Sequence, residues 1–259
     1  MKLAYRIDGP GAKPPLVLAS SLGTTWELWD PQLPSLAHDF QIVRFDLPGH
    51  GRSPIPDASV TVESIAAGLV ELLDTLELER SSFCGLSLGG MVGMALALQA
   101  PERIDRLVLC CTAASLGPVE GWHDRARIVR AKGTSAIADA VLGRWFTERF
   151  RDGSPDATAH FRAMLEDIPA EGYSACCEAI SRWDARSDVS AIRTPTLVVS
   201  GEDDVATPPE DGAFLAASIP GAELTVLPEC AHLANVEQPA LFARALLAHL
   251  RVPAGTEAT

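Results

Sequence analysis

The chain has 259 residues, 47% of them hydrophobic and 21% charged, with a formal net charge of −13. This is enough apolar material for one large α/β domain, with or without an inserted segment, and it excludes a disordered, collagen-like or disulfide-scaffold protein. A surface this negative repels phosphate backbones and anionic headgroups, which argues against nucleic acid and membrane as partners and calls for a local cation if the substrate is an anion.

Residues 1–8 hold no continuous apolar stretch of the signal-peptide kind, and no apolar run in the sequence is long enough to span a bilayer. Residues 3–7 read as an opening strand. Residues 16–19 and 42–45 are short apolar runs flanked by Pro, Gly or Asp, the pattern of buried strands. Val62, Ile65, Ala66, Leu69, Leu73 and Leu76 recur at helical spacing. A short strand at 82–84, a helix at about 88–100 and a strand at 107–111 follow. Residues 113–192 carry helical patterning, as in Ile137, Val141, Leu142 and Trp145, and no convincing strand. They are expected to form a helical cap over the sheet's carboxyl edge, inserted between core segments 1–112 and 193–259. Residues 196–200 and Glu223–Leu227 are again strand-like, residues 241–250 form a closing helix, and a short polar tail follows Pro253. Such alternation predicts an α/β fold with a mostly parallel sheet, helices on both faces and binding sites at the carboxyl ends of the strands.

Cys84, Cys110, Cys111, Cys176, Cys177 and Cys230 include two adjacent pairs, which is neither zinc nor thioredoxin-like spacing. They read as small buried apolar residues. No H-E-x-x-H or comparable ligand cluster occurs, so no metal or cofactor is expected. Reduced thiols and the absence of a leader point to the cytoplasm, with self-association left open.

Gly85-Leu86-Ser87-Leu88-Gly89-Gly90 lies between a predicted strand and a predicted helix, the context of a G-x-S-x-G nucleophile elbow. The turn lifts the Ser87 hydroxyl into a cleft, and the helix start offers the Leu88 N–H. The motif lacks a P-loop lysine and is not G-x-G-x-x-G. The base must follow a later strand: His232 does so, whereas His123 and His160 fall in the insertion and His249 reads as a solvated residue near the end of the closing helix. The orienting carboxylate comes from Glu202-Asp203-Asp204 after the 196–200 strand. Asp204 is the first candidate and Asp203 the second. A neutral hydroxyl needs a base in contact, and the base needs a partner that fixes its tautomer. The oxyanion requires two fixed donors, assigned to the N–H groups of Leu88 and of Leu22, in the loop Ser20-Ser21-Leu22-Gly23.

These residues resemble the α/β-hydrolase superfamily over nearly the whole chain. Asp46-Leu47-Pro48-Gly49-His50-Gly51-Arg52-Ser53 resembles that family's turn after its fourth strand, where the role is structural, and His50 receives no catalytic part. Many members carry His-Gly where this chain has Ser20-Ser21. The Ser-Leu-Gly form, with Trp29-Asp30-Pro31-Gln32, Gly143-Arg144-Trp145-Phe146-Thr147 and Glu171-Gly172-Tyr173-Ser174-Ala175-Cys176-Cys177, is similar to 3-oxoadipate enol-lactonases. That resemblance implies a small anionic lactone as substrate, within aromatic catabolism, with Arg144 beside Trp145 gripping its carboxylate. The alternative is that Arg144 is a solvated helix residue and Trp145 a core aromatic. A general carboxylesterase or carbon-carbon bond hydrolase would use the same triad. A non-catalytic ligand receptor is the remaining alternative. Dehalogenases and epoxide hydrolases of the fold carry aspartate in place of Ser87.

Overall fold

Seven strands pair in the order β1-β3-β2-β4-β5-β6-β7 in the computed structural model, which describes residues 1–55 and 57–251. The polar tail lies outside the described residues. The strands are β1 (Tyr5–Asp8), β2 (Pro15–Ala19), β3 (Gln41–Phe45), β4 (Ser81–Leu86), β5 (Ile104–Cys110), β6 (Thr196–Gly201) and β7 (Glu223–Leu227). Only β1 runs antiparallel to its neighbour, with Tyr5 opposite Phe45 and Asp8 opposite Ile42. The opening strand therefore sits later than residues 3–7. The Asp46–Ser53 turn follows β3, the third strand in this chain's own order.

Burial follows position in the sheet. Central β4 is buried throughout, because parallel strands covered on both faces need apolar residues on both sides. Edge strand β7 instead exposes Leu224 and Val226. After the short α1 (Leu33–Leu36) comes α2 (Val62–Thr75), which starts with a reciprocal pair of hydrogen bonds between Thr61 and Ser64. Helix α3 (Leu88–Gln99) is buried around its circumference from Leu88 to Ala97, being caught between β4, β5 and α2. The residues read as one apolar run at 42–45 include Arg44, whose guanidinium is buried. Asp8 from β1 (2.8 Å) and Asp30 (2.6 Å) satisfy it, as a buried charge requires.

The β5–β6 connection contains helices α4 (Val119–Lys132), α5 (Ala138–Trp145), α6 (Glu148–Gly153), α7 (Pro155–Glu166) and α8 (Ala170–Ser181), with α4 packed along α8. Helix α9 (Pro209–Ser218) joins β6 to β7, and the short α10 (Ala234–Glu237) precedes α11 (Pro239–Leu250). Helix α9 packs on β6 and β7, while α11 packs with α1 and crosses β5 and β7. His249 on α11 is half-buried and hydrogen-bonded to the Pro195 carbonyl at 3.2 Å, not solvated as its position near the helix end suggested; α11 lies on the sheet there. All six cysteines are buried and unpaired. No helix among the described residues is long and apolar enough to cross a membrane.

Strand order reverses between β2 and β4, which are hydrogen-bonded neighbours with Ala19 opposite Gly85. The chain leaves β2 toward β3 on one side, then returns to β4 and continues the other way. Loops after β2 and β4 therefore diverge and open a crevice at their carboxyl ends.

Candidate active site

Ser87 sits in that crevice, directly after β4 and before α3. Its backbone is at φ 58°, ψ −116°, a strained conformation for a residue with a side chain. The strain is held on three sides. The Ser87 N–H donates to the Cys110 carbonyl (2.9 Å), and the Ser87 carbonyl accepts from Thr112 Oγ1 (2.7 Å) and from the Gly90 N–H (2.9 Å). The elbow's glycines are steric necessities: a Cβ on Gly85 would lie 2.1 Å from the Gly89 carbonyl oxygen, and one on Gly89 2.2 Å from that of Ala19. The Leu88 N–H opens α3, and the Leu22 N–H lies in the loop after β2. Neither has a hydrogen-bond partner among the described residues.

The loop after β6 turns on Asp204. Its Oδ1 accepts the N–H groups of Ala206 (2.8 Å) and Thr207 (3.0 Å), a local turn that leaves Oδ2 free to point elsewhere. Oδ2 accepts His232 Nδ1–H at 2.8 Å and Thr207 Oγ1–H at 2.7 Å. Asp203 is exposed instead and uses its N–H on the Cys230 carbonyl at 2.9 Å, while Glu202 accepts the Glu229 N–H. Burial pushes the Asp204 carboxyl up, but the imidazole of His232 and the bonds from Thr207 outweigh this and hold it below the usual value. With Nδ1 protonated toward Asp204, Nε2 of a neutral His232 is an acceptor. Ser87 and His232 line the same cavity without a direct hydrogen bond, a looseness common before substrate tightens such contacts.

That cavity has a volume of about 320 Å³. One wall is Ser21, Leu22, Ser87, Thr207 and His232, and the other comes from the helices between β5 and β6. Helix α4 supplies Trp122 and Arg125, α5 supplies Val141, Arg144 and Trp145, and α8 supplies Tyr173 and Ile180. Among the described residues no carboxylate lines the cavity. Elsewhere on α4, Arg127 pairs with Asp124, and Arg130 with both Glu171 and Glu178. Arg125 and Arg144 have no carboxylate within ion-pairing distance among the described residues. Arg125 stacks over Trp122 with its guanidinium carbon 4.6 Å from the ring centre. Burial, then the like charge of Arg125, lowers the Arg144 pKa, and both guanidinium groups oppose the rise that burial imposes on Tyr173. The structure thus brings Leu22, Ser87, His232, Arg144 and Trp145 to the lining of one cavity, with Asp204 behind His232 and Leu88 next to Ser87, and leaves Asp203 outside it.

Three further participants stand out. Arg125 lies one helical turn after Trp122, a spacing that puts both on one face. Thr207 touches both Asp204 and His232, its Oγ1 being 3.3 Å from Nδ1. His50, expected to be structural only, is buried and accepts the Gly23 N–H at Nε2 (3.1 Å), with Nδ1–H donating to the Pro48 carbonyl (3.0 Å). Burial lowers its pKa to about 4 against the opposing pull of that carbonyl, so the ring is neutral.

A sequence profile described as alpha/beta hydrolase fold matches residues 14–239, most of the chain. The chain belongs to the α/β-hydrolase fold family. Within that family it is 35% identical to 3-oxoadipate enol-lactonase 2 of Acinetobacter baylyi, over 96% of this chain and 93% of that protein. It is also 32% identical to the RutD protein of Stutzerimonas stutzeri, named for carbamate hydrolysis, over 93% of each. Among solved α/β-hydrolase structures, the enol-lactonase from Burkholderia xenovorans LB400 superposes with a TM-score of 0.94 at 40% identity, covering 96% of both chains.

Proposed function

We propose that this α/β-hydrolase is a serine hydrolase that opens the ring of a small anionic enol-lactone, with 3-oxoadipate enol-lactone as its substrate. The observation that carries the reading is a cavity with a strained serine and a carboxylate-oriented histidine on one wall, and two arginines without acid partners on the other. In a chain of net charge −13, two uncompensated guanidinium groups turned to one cavity favour an anionic ligand.

In this reading Ser87 attacks the lactone carbonyl as His232 Nε2 takes its proton, and Asp204 stabilises the imidazolium. The Leu22 and Leu88 N–H groups hold the oxyanion. Collapse of the intermediate breaks the ring carbon-oxygen bond, and His232 returns the proton to the leaving enolate oxygen. Water, activated by the same imidazole, hydrolyses the acyl-enzyme, and the released enol becomes a ketone. An enolate leaves more readily than an alkoxide, so the helical cap serves to position the carboxylate arm through Arg125 and Arg144 and to shield the site with Trp122 and Trp145.

The RutD likeness supports a second reading, carbamate hydrolysis by the same three residues. The test is a panel of the enol-lactone, a carbamate and neutral esters. The expected result is a kcat/KM for the enol-lactone far above the others, abolished in Ser87→Ala with the fold intact. Preference for the carbamate replaces the lactone reading, and an active Ser87→Ala removes the nucleophile.

A further inference from the structure

Parallel pairing of β2 with β3, which puts Ala19 opposite Phe45, sets the loop Ser20–Ser21–Leu22–Gly23 beside the Asp46–Ser53 turn. Both peptides flanking Leu22 are pinned there. The Ser21 carbonyl accepts from the Thr24 N–H (3.1 Å) and from Thr24 Oγ1 (2.8 Å). In a trans peptide the carbonyl and the next N–H point in opposite directions. Holding the Ser21 carbonyl toward Thr24 therefore turns the Leu22 N–H away from it. The next peptide is held at its other end, where the Gly23 N–H meets His50 Nε2. Gly23 has φ 84°, a conformation that glycine adopts freely, so little in the backbone itself resists rotation of the peptide between residues 22 and 23. The imidazole supplies that resistance. Its own orientation is set by the Pro48 carbonyl at Nδ1 and by the ring of Tyr173, whose centre is 6.4 Å away at 25°.

We propose that His50 is a positioning residue of the oxyanion hole, whose Nε2 anchors the Gly23 N–H and so keeps the Leu22 N–H directed at the reacting carbonyl. This rests on the reading of Leu22 as an oxyanion donor. The role demands an unprotonated Nε2 and a side chain that does not exchange protons with solvent, which a fully buried ring with a committed Nδ1–H provides. The anchor is spent in the transition state. Misdirecting a donor lowers kcat while leaving ground-state binding alone.

The test uses the full chain and p-nitrophenyl acetate. In His50→Asn the amide reaches only as far as Nδ1, keeping the Pro48 contact and losing the Gly23 acceptor. In His50→Gln the amide oxygen reaches the Nε2 position. We expect kcat to fall about 10- to 100-fold in the asparagine variant, with KM within about threefold, and to return to within about threefold of wild type in the glutamine variant. Affinity for a trifluoromethyl ketone, whose adduct carries an oxyanion, should fall in parallel with kcat. An unchanged kcat in the asparagine variant, or equal losses in both variants, overturns the assignment and leaves His50 as packing. Should the asparagine variant not fold, His50→Phe keeps a ring against Tyr173 and removes the acceptor for the Gly23 N–H: a loss of about 3- to 10-fold in kcat at unchanged KM supports the proposal, and unchanged kcat overturns it. Wild-type protein that neither hydrolyses the ester nor is labelled at Ser87 by a fluorophosphonate refutes the hydrolase reading itself, a result distinct from any difference among variants.

Discussion

Replacing Asp204 by asparagine tests the tautomer argument with almost no change in volume. In the wild type, Oδ1 accepts two backbone N–H groups, from Ala206 and Thr207. The asparagine amide oxygen is held to the same place, because its NH2 facing two donors would leave three unsatisfied. The NH2 group then occupies the position of Oδ2, 2.8 Å from His232 Nδ1 and 2.7 Å from Thr207 Oγ1. A donor facing Nδ1 forces that nitrogen to accept, which moves the ring proton to Nε2. The imidazole is then unable to take a proton from Ser87, and its charged form has lost its counterion. The expected cost is about 10⁴-fold in kcat, or about 5.5 kcal/mol of transition-state stabilisation, with KM little changed. Steady-state hydrolysis of p-nitrophenyl acetate at pH 8 measures it, beside a melting curve showing that the backbone turn persists. A loss under tenfold, in a variant that melts like wild type, would refute the assignment of Asp204 as the partner of the base.

Two other outcomes follow from the same geometry. Arg125→Gln and Arg144→Gln should each remove a charge-assisted contact of about 1.5–3 kcal/mol, lowering kcat/KM for the carboxylate-bearing lactone about 10- to 150-fold and for a neutral ester under threefold; equal losses on both substrates would take the arginines out of the binding role. The second concerns acid. His50 has a folded pKa of about 4, below the 6.5 of an unfolded histidine, so as pH falls through 6.5 the unfolded state takes up a proton that the native state refuses. Stability from this residue is complete above about pH 6.5 and declines until about pH 4, by about 3 kcal/mol in total. Urea titrations at intervals through that window should show a steeper decline in wild type than in His50→Gln, where the lowered pKa of His249 still contributes, and matching slopes in both would reject it.

Features set by local chemistry are readable from sequence. The elbow is one: its glycines answer clashes with residues four or five positions away, in the adjoining strand or just past the end of β5, and so recur as a pattern. The alternation of strands and helices is another, with strand ends missed by one to three residues because pairing, not composition, decides where a ladder stops. The choice between Asp203 and Asp204 is not of this kind. Both are acids in one turn, and only burial and the reach of Oδ2 to a loop 28 positions away separate them. Arg44 was hidden inside an apolar run for the same reason, its two carboxylates arriving from β1 and from the segment after β2. Thr207 reads as an ordinary residue before prolines until the β7 loop is folded against it. His50 stands in a turn whose sequence signals glycine geometry, and its partner is the amide of a different loop. Arg125 carries no signal apart from Trp122 one turn earlier, and its freedom from acids is a fact of packing between α4, α5 and α8.

β5 and β6 are adjoining strands, in register from Leu107 opposite Thr196 to Cys110 opposite Val199, although five helices separate them in the chain. The sheet is therefore continuous without a strand from that long excursion, whose helices return to wall the cavity at its carboxyl edge. The excursion nonetheless grips the core at fixed points: the Leu233 N–H donates to the Trp145 carbonyl at 3.0 Å, and the backbone of Gly172 lies against that of Gly49. A change at Tyr173 would thus reach both the cavity wall and the ring of His50 at once.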